Sequence, residues 1–262
     1  MPRSSSESSG PTANRSVVRA IQILRALSAS DLPMTATDVA QSVGLPRATV
    51  FRLLMTLEEE GFVSRTDTLY SLGWDLARIA DSVDPVSTLV PRISGIIEEL
   101  ADELGETVTL SLRRGRYGLD LVAQANPHVI GLEMSQMNGQ TWPLHASSTG
   151  KLLLAELTEP QVLTATGPEL PALTDKTITT QSDLTAELEQ IRRQGWAITD
   201  RELEDDIVSV AVPIRDSAGT LMAILTWVGL AHRIDAERRR TLTQALIEGA
   251  ERVRTHLNTT PG

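Results

Sequence analysis

Apolar residues recur at helical spacing near the start of the chain, and a hairpin pattern follows them. Between Val17 and Leu27 they repeat at intervals of three and four residues, which predicts an amphipathic helix. A second helix is predicted to begin with Thr37 as its N-cap and to stop at Gly44. Pro46 then opens a third helix after a short turn. Two helices joined by so tight a turn are typical of a helix-turn-helix.

The third helix is predicted to have one apolar side and one small, polar side. Its large aliphatic residues share the first side, and Ala48, Thr49 and Arg52 lie on the other. Small side chains and arginine suit contacts with base edges in a major groove. Arg47, at the start of the helix, is expected to touch phosphates or the minor groove.

A wing is predicted after the third helix, because residues 62–65 and 69–72 alternate as two short strands around a turn. Arg65 on this wing is expected to make the same kind of contact as Arg47. We therefore predict a winged helix-turn-helix DNA-binding domain over residues 15–80, with double-stranded operator DNA as its partner. The alternative is a small helical bundle whose exposed face carries solvated residues only.

The remainder of the chain predicts a second, α+β domain. Residues 81–104 continue as a linker helix region, and alternating strands follow at 107–112, 119–123 and 129–134. We expect residues 105–258 to form an effector-binding and oligomerisation domain. Residues 1–14 are polar and serine-rich, which predicts a disordered N-terminus.

Composition narrows the class of protein. The 262 residues are 41% hydrophobic, yet no apolar run approaches the roughly 18 residues that a membrane-spanning helix needs. The absence of cysteine excludes disulfides and thiolate metal sites, and no signal peptide is evident, so a soluble, cytoplasmic protein is expected. The net charge of −10 falls entirely on the part after residue 80, because the first 80 residues hold 8 basic and 8 acidic residues. The predicted DNA-binding head is therefore not repelled by DNA.

A row of small polar residues, Ser147-Ser148-Thr149, precedes an apolar helix in the second domain. The free N–H groups and positive dipole end of such a helix make a site for a carboxylate, although ordinary N-capping explains the same residues equally well. Ser209 and Thr226 are isolated polar groups in apolar strands. By default they are satisfied core hydroxyls, but they could converge with the helix on one pocket.

These segments together resemble the IclR family of bacterial transcription regulators. The likeness rests on the head and on residues 144–151, 195–198, 202–204 and 208–216, and it spans about residues 15–257. The resemblance implies a winged helix-turn-helix, a linker helix and a GAF-like effector-binding domain. It also implies assembly as a homodimer or a dimer of dimers.

Residues 173–179, 200–204 and 209–213 are similar, more narrowly, to the branch typified by PcaR, PcaU and PobR, which regulate protocatechuate and 4-hydroxybenzoate breakdown. In members that bind small oxo-acids, a Cys often occupies the position of Ser209, an Asp that of Thr199, and two Ser those of Thr226 and Val228. These departures disfavour a glyoxylate-like effector and favour an aromatic or longer dicarboxylic acid, such as protocatechuate, 4-hydroxybenzoate or β-ketoadipate. A small oxo-acid such as glyoxylate or pyruvate stays as the alternative.

The body of such an acid is expected against side chains on the strands and the loop before them. The candidates are Leu132, Met134, Ile207 and Trp227. A third interpretation of the domain is a dimerisation module that binds no ligand. A C-terminal helix is expected to bury its apolar stripe and to support assembly; the stripe consists of Leu242, Leu246, Gly249 or Ala250, Val253 and Leu257.

An enzyme is the remaining alternative, because His145 lies two residues from Ser147 and acidic groups such as Asp200 follow. The chain lacks a nucleophile elbow, a glycine-rich phosphate loop and a HExxH metal pair. We therefore expect no catalysis, no cofactor and no metal. His145 is expected to pack, or to make a backbone hydrogen bond before the helix.

Overall fold

The computed structural model describes residues 14–30, 32–82, 85–128 and 142–258. It divides the chain into two compact units, Met1–Asp84 and Pro85–Gly262. Most of the predicted disordered N-terminus and the predicted strand at 129–134 lie outside the described residues. Among the helices of the described ranges, none is long and apolar enough to cross a membrane.

The N-terminal unit is a winged helix-turn-helix, as the sequence predicts. A three-stranded antiparallel sheet in the order β1-β3-β2 accompanies its helices. The elements are α1 (Arg15–Ala29), β1 (Met34–Thr35), α2 (Ala36–Val43), α3 (Arg47–Glu59), β2 (Val63–Thr66), β3 (Leu69–Leu72) and α4 (Trp74–Asp81). Its core joins the three helices to the hairpin through buried residues that include Ile23, Val39, Val50, Leu54 and Tyr70.

The start of α2 differs from the prediction, because Thr35 and not Thr37 is the N-cap. Thr35 Oγ1 accepts from the Asp38 N–H at 3.2 Å, and Asp38 Oδ2 accepts from the Thr35 N–H at 3.1 Å. This reciprocal capping box satisfies two free helix donors at once, whereas Thr37 already lies within the first turn. The side-chain hydrogen bond from Thr35 holds the pKa of Asp38 below its usual range. Gly44 ends the helix at φ 66°, a conformation that glycine adopts without strain.

The C-terminal unit is α+β, which confirms the predicted fold class. Its antiparallel sheet has the strand order β5-β4-β8-β7-β6. The elements are α5 (Pro85–Leu104), β4 (Thr107–Arg114), β5 (Gly118–Ala125), α6 (Ser148–Ala155), α7 (Glu159–Thr166), α8 (Gln181–Gln194), β6 (Ala197–Asp200), β7 (Ile207–Arg215), β8 (Leu221–Leu230) and α9 (Ala236–Asn258).

The two faces of this sheet carry different layers. On one face α5 and α9 pack against inward residues such as Val108, Val210 and Trp227. On the other face α6 and α8 pack near Ala211 and Ile224. Successive side chains of a strand point to opposite faces, so this second face is the one that also receives the polar residues of the strands.

The apolar stripe of α9 is buried within its own chain. Leu242, Leu246, Ala250 and Val253 belong to the core beneath α5 and the sheet. At Gly249 the helices approach so closely that an added Cβ would lie 2.7 Å from a methyl group of Leu100. The prediction that the stripe is buried is confirmed, but its use as an assembly surface is wrong, because these side chains are already covered.

Candidate functional site

The outward face of α3 carries most of the residues that the sequence predicts for DNA contact. Arg47, Ala48 and Arg52 are exposed, and Thr49 is half-buried. Val50 and Leu54 are completely buried and fix how the helix is rotated on its core. The N-terminal half of α3 therefore presents two cations and a small residue to solvent.

Arg65 lies on β2 and is held by its own wing. Its Nε donates to the backbone oxygen of Asp67 at 2.7 Å, and its guanidinium lies 5.5 Å from the centroid of the Tyr70 ring. Asp67 occupies the tip of the hairpin at φ 56°. These contacts orient the arginine while its remaining N–H groups stay exposed to solvent.

Two apolar side chains on the exposed part of α3 were missed from the sequence. Phe51 and Met55 are each 42% exposed. On a helical wheel both positions lie between the buried row and the face that carries Ala48 and Arg52, so the apolar pattern alone assigns them to neither side. Only the observed rotation of the helix shows that they point outward.

The six polar residues predicted for effector binding all line one cavity in the C-terminal unit. Its volume is about 280 Å³, and it lies between α6 and the adjacent face of the sheet. The six are Ser147, Ser148, Thr149, Thr199, Ser209 and Thr226. Ser148 contacts Ser209 across 61 positions of sequence, and Thr149 contacts Thr226 across 77.

Side-chain hydroxyls form two hydrogen-bonded groups at the cavity. Ser209 Oγ lies 2.8 Å from Ser148 Oγ and 2.7 Å from Thr199 Oγ1. Thr149 Oγ1 lies 3.2 Å from Thr226 Oγ1. Each hydroxyl carries one proton and two lone pairs, so these groups can turn a donor toward an anion with little rearrangement.

The start of α6 supplies backbone donors beside these hydroxyls. Ser147 is the N-cap: its Oγ accepts from the Gly150 N–H at 3.1 Å and donates to the Pro143 oxygen at 3.2 Å. The N–H groups of Ser148 and Thr149 belong to the first turn and have no intrahelical acceptor. Both predicted roles, N-cap and donor row, are therefore compatible with the same helix start.

Aliphatic side chains form one part of the cavity wall, and one predicted wall residue is wrong. Ile207 lines the cavity, but Trp227 is buried on the opposite face of the sheet. Thr226 and Val228 both line the cavity, so the residue between them must point away. The other predicted wall residues, Leu132 and Met134, lie outside the described residues. Further aliphatic lining residues are Leu119, Leu121, Leu144 and Leu203.

Charged groups among the described lining residues are confined to Arg114 and Glu204. Both are exposed, and Arg114 Nε lies 3.1 Å from Asp120 Oδ1. A carboxylate deep in the cavity would therefore be held by backbone N–H groups and hydroxyls.

A buried ion pair behind the helix start was not predicted. Lys151 Nζ lies 2.6 Å from Glu202 Oε1 and 3.4 Å from Glu187 Oε1. Burial raises the pKa of Glu202, and the ammonium of Lys151 opposes that rise. Thr177 Oγ1 also donates to the backbone oxygen of Glu202 at 2.6 Å. The pair ties α6 to the segment after β6 that provides Leu203 to the cavity.

His145 is buried next to the helix start and makes the predicted backbone contact. Its Nε2 lies 3.0 Å from the oxygen of Pro171. A carbonyl only accepts, so this nitrogen carries the proton. Within the described ranges, no group of three or more His, Asp or Glu residues is arranged to hold a metal ion.

Comparisons with known proteins agree with both units. The model of the IclR helix-turn-helix domain matches residues 16–67, and that of the bacterial transcriptional regulator IclR C-terminal domain matches residues 86–255. The fold and these matches define a DNA-binding transcription regulator. More narrowly, the chain belongs to the IclR family.

Individual relatives are similar over most of their length. The probable transcriptional regulator SauR of Cupriavidus necator is 34% identical over 225 residues, which cover 83% of this chain and 87% of the relative. The Pca regulon regulatory protein of Pseudomonas putida is 28% identical over 229 residues, which cover 86% and 78%. A crystal structure of an IclR homolog from Microbacterium hydrocarbonoxydans, complexed with 4-hydroxybenzoate, shares the fold with a TM-score of 0.58 at 22% identity, covering 94% and 100%.

Proposed function

We propose that this regulator binds a small organic acid in the cavity between α6 and the sheet, and that the acid controls its affinity for operator DNA. The observation that carries the proposal is the convergence of eight serine and threonine residues, including the six predicted ones, on one cavity of about 280 Å³ at a helix start. Ordinary N-capping requires only Ser147. It explains neither the cavity nor the strand hydroxyls of Ser209 and Thr226 that line it.

The carboxylate of the acid lies on the N–H groups of Ser148 and Thr149. The positive end of the helix dipole favours an anion there, and the neighbouring hydroxyls add donors. The aliphatic wall contacts the rest of the ligand. Apolar walls with a few convergent polar groups are usual in small-molecule sites.

An aromatic or longer dicarboxylic acid suits this cavity better than a small oxo-acid. A two-carbon acid would leave most of the aliphatic wall without contact, whereas a ring or a chain of several carbons would cover it. We therefore propose protocatechuate, 4-hydroxybenzoate or β-ketoadipate as candidate effectors. The name of the Pca regulon relative and the 4-hydroxybenzoate in the Microbacterium structure motivate the choice of these acids for testing.

Calorimetric titration with these three acids and with glyoxylate tests the proposal. Ser148→Glu should abolish binding, because a second carboxylate would stand where the ligand's carboxylate lies. Ser182→Glu is the matched control, since it adds the same charge at the start of α8 on an exposed residue. Ser148→Ala, which removes only a hydroxyl, should weaken binding without blocking it.

Unchanged acid binding by a folded Ser148→Glu protein would place the pocket elsewhere. If none of the four acids binds or raises the melting temperature, the ligand-free dimerisation module becomes the better interpretation. The acid should also shift the operator titration in a gel-shift assay. A ligand changes DNA affinity only to the extent that it binds the two conformational states differently.

The DNA-binding half of the proposal assigns Ala48, Thr49 and Arg52 to the major groove. Arg47 and Arg65 contact phosphates or the minor groove. Helix-turn-helix proteins read paired half-sites with paired heads, so we propose a homodimer or a dimer of dimers.

An apolar surface that is available for assembly lies on α1. Val17, Val18 and Ile21 are exposed there at 54%, 43% and 44%. Sedimentation should show at least a dimer at micromolar concentration, and Ile21→Glu should weaken it. A monomeric wild-type protein would contradict this part of the proposal.

A further inference from the structure

An exposed aromatic side chain stands among the cations of α3. Phe51 is one of only two phenylalanines in the chain, and it is 42% exposed. Met55, one turn later on the same face, has the same exposure. A single exposed apolar residue is ordinary, so the neighbours decide whether this one has a role.

The neighbours of Phe51 are the residues proposed to meet DNA. At 3.6 residues per turn, Arg47, Phe51 and Met55 follow one another around the helix in steps of about 40°, and Ala48 lies just beyond. Arg52 adjoins Phe51 in sequence. The completely buried Val50 and Leu54 keep this face turned away from the core.

Charge on the helix favours nucleic acid over a protein partner at this face. Arg47 and Arg52 are exposed, and within the described residues neither has an ion-pair partner, which leaves both cations available for phosphates. The acidic residues of α3 and its C-cap are gathered at the opposite end, at positions 58–60. Phe51 lies in the cationic N-terminal half, the half that recognition helices insert into the groove.

We propose that Phe51 reads thymine in the operator through contact with its C5-methyl group. The major groove displays that methyl only on thymine, and phenylalanine is a side chain that can pack against it. Met55 extends the apolar strip on the side away from Arg47. The inference rests on the proposed entry of α3 into the major groove and adds to it the recognition of thymine by Phe51.

Replacement of thymine by deoxyuridine tests the contact, because it removes the methyl and leaves base pairing intact. A tight-binding duplex of about 30 base pairs is first selected from a random library with the wild-type protein. Each thymine is then replaced singly by deoxyuridine. Loss of one buried methyl contact is expected to weaken binding about four-fold at one or two positions in each half-site.

The Phe51→Ala protein should bind the thymine duplex more weakly than the wild type does. Its affinity should not fall further when deoxyuridine replaces thymine at those positions. Phe51→Leu, which keeps an apolar side chain, should retain part of the methyl preference. Ile247→Ala removes an exposed apolar side chain on α9 and should bind as the wild type does. Melting curves check that each variant is folded.

Three outcomes would overturn the inference while leaving the DNA-binding proposal intact. The first is a selected duplex without any methyl-sensitive thymine, and the second is wild-type methyl sensitivity in Phe51→Ala. The third is an equal weakening of the thymine and deoxyuridine duplexes by Phe51→Ala, which would indicate a supporting role in the helix. A selection that enriches no duplex would reject the operator-binding proposal itself and this inference with it.

Discussion

Lys151 Nζ and Glu202 Oε1 lie 2.6 Å apart, and the lysine side chain is completely buried. Glu187 lies on the other side of the ammonium at 3.4 Å. Among the described residues, Glu202 Oε2 is buried without a hydrogen-bond partner. One cation thus holds together α6, α8 and the segment that follows β6, directly behind the proposed carboxylate site.

Lys151→Met should lower the free energy of unfolding by about 3–5 kcal/mol near neutral pH, because it leaves a buried carboxylate without its cation. Lys176→Met is the control, since Lys176 is exposed and should change the stability little. Urea unfolding measures both. A loss for Lys151→Met no larger than for Lys176→Met would show that the pair contributes nothing to stability.

The loss in Lys151→Met should shrink as the pH falls. Burial raises the pKa of Glu202 in the folded state above the unfolded value of about 4.3, so the folded chain binds the proton more tightly. The cost of burying the ionised carboxylate without its cation therefore grows as the pH rises from the unfolded pKa of Glu202 through its folded pKa. Unfolding curves at pH 5 and pH 8 check this sign, and a larger loss at pH 5 would contradict it.

The N-terminal unit could be predicted from its sequence because its signals are local. Apolar spacing, Gly44 and the alternation of the wing each act within one element. The position of the α2 N-cap failed because Thr35 and Thr37 both suit the role by type. The capping-box spacing distinguishes them, because Asp38 lies three residues after Thr35, whereas Ala40 lies three residues after Thr37.

The C-terminal unit was predicted less completely because its site joins distant segments. Helix-start residues and strand hydroxyls could be picked out as unusual for their elements. Trp227 was misassigned because it was placed in the cavity together with its neighbour Thr226, whereas successive side chains of a strand point to opposite faces. The Lys151–Glu202 pair joins residues 51 positions apart, and nothing in local periodicity indicates such a partner.

Ser209→Ala should destabilise the cavity wall. The Ser209 hydroxyl is shared by Ser148 and Thr199, which are 1% and 3% exposed. Its removal leaves buried hydroxyls short of a partner, which costs about 1–3 kcal/mol. Ser217→Ala, in an exposed turn, should change the unfolding free energy by less than about 0.5 kcal/mol. Equal effects for the two variants would show that the hydrogen bonds among Ser148, Thr199 and Ser209 do not stabilise the fold.

Gly150→Ala should disrupt the start of α6. An added Cβ would lie 2.5 Å from both the Cα and the oxygen of Leu144, and backbone atoms cannot move aside cheaply. We expect a loss of about 1–3 kcal/mol together with weaker acid binding. At the exposed Gly95 of α5, no atom lies within 4 Å of an added Cβ. Gly95→Ala should therefore raise stability by about 0.5–1 kcal/mol. A stable Gly150→Ala protein with normal acid binding would contradict the close approach of Gly150 to the backbone of Leu144.

His128 should titrate above the range of an ordinary histidine. Its Nδ1 lies 2.9 Å from Asp102, and this side-chain hydrogen bond raises the pKa of His128. The stabilisation of the fold by the protonated histidine is fully present below its unfolded pKa of about 6.5. It is lost as the pH rises through the higher folded pKa. NMR titration of the ring protons should show the pKa falling in Asp102→Asn. An unchanged value in that variant would mean that the carboxylate does not interact with the ring in solution.

Arg52 and Arg47 should affect operator binding in different ways, because one is assigned to bases and the other to phosphates. Arg52→Ala should cost about 1–3 kcal/mol on the selected duplex and relax its preference at one base position. Arg47→Ala should weaken binding to all duplexes alike and reduce the slope of log affinity against log salt by about one. Gel-shift titrations of both variants over a range of salt concentrations separate these effects. Wild-type affinity and base preference in Arg52→Ala would show that the groove assignment of α3 is wrong, whatever Arg47→Ala does.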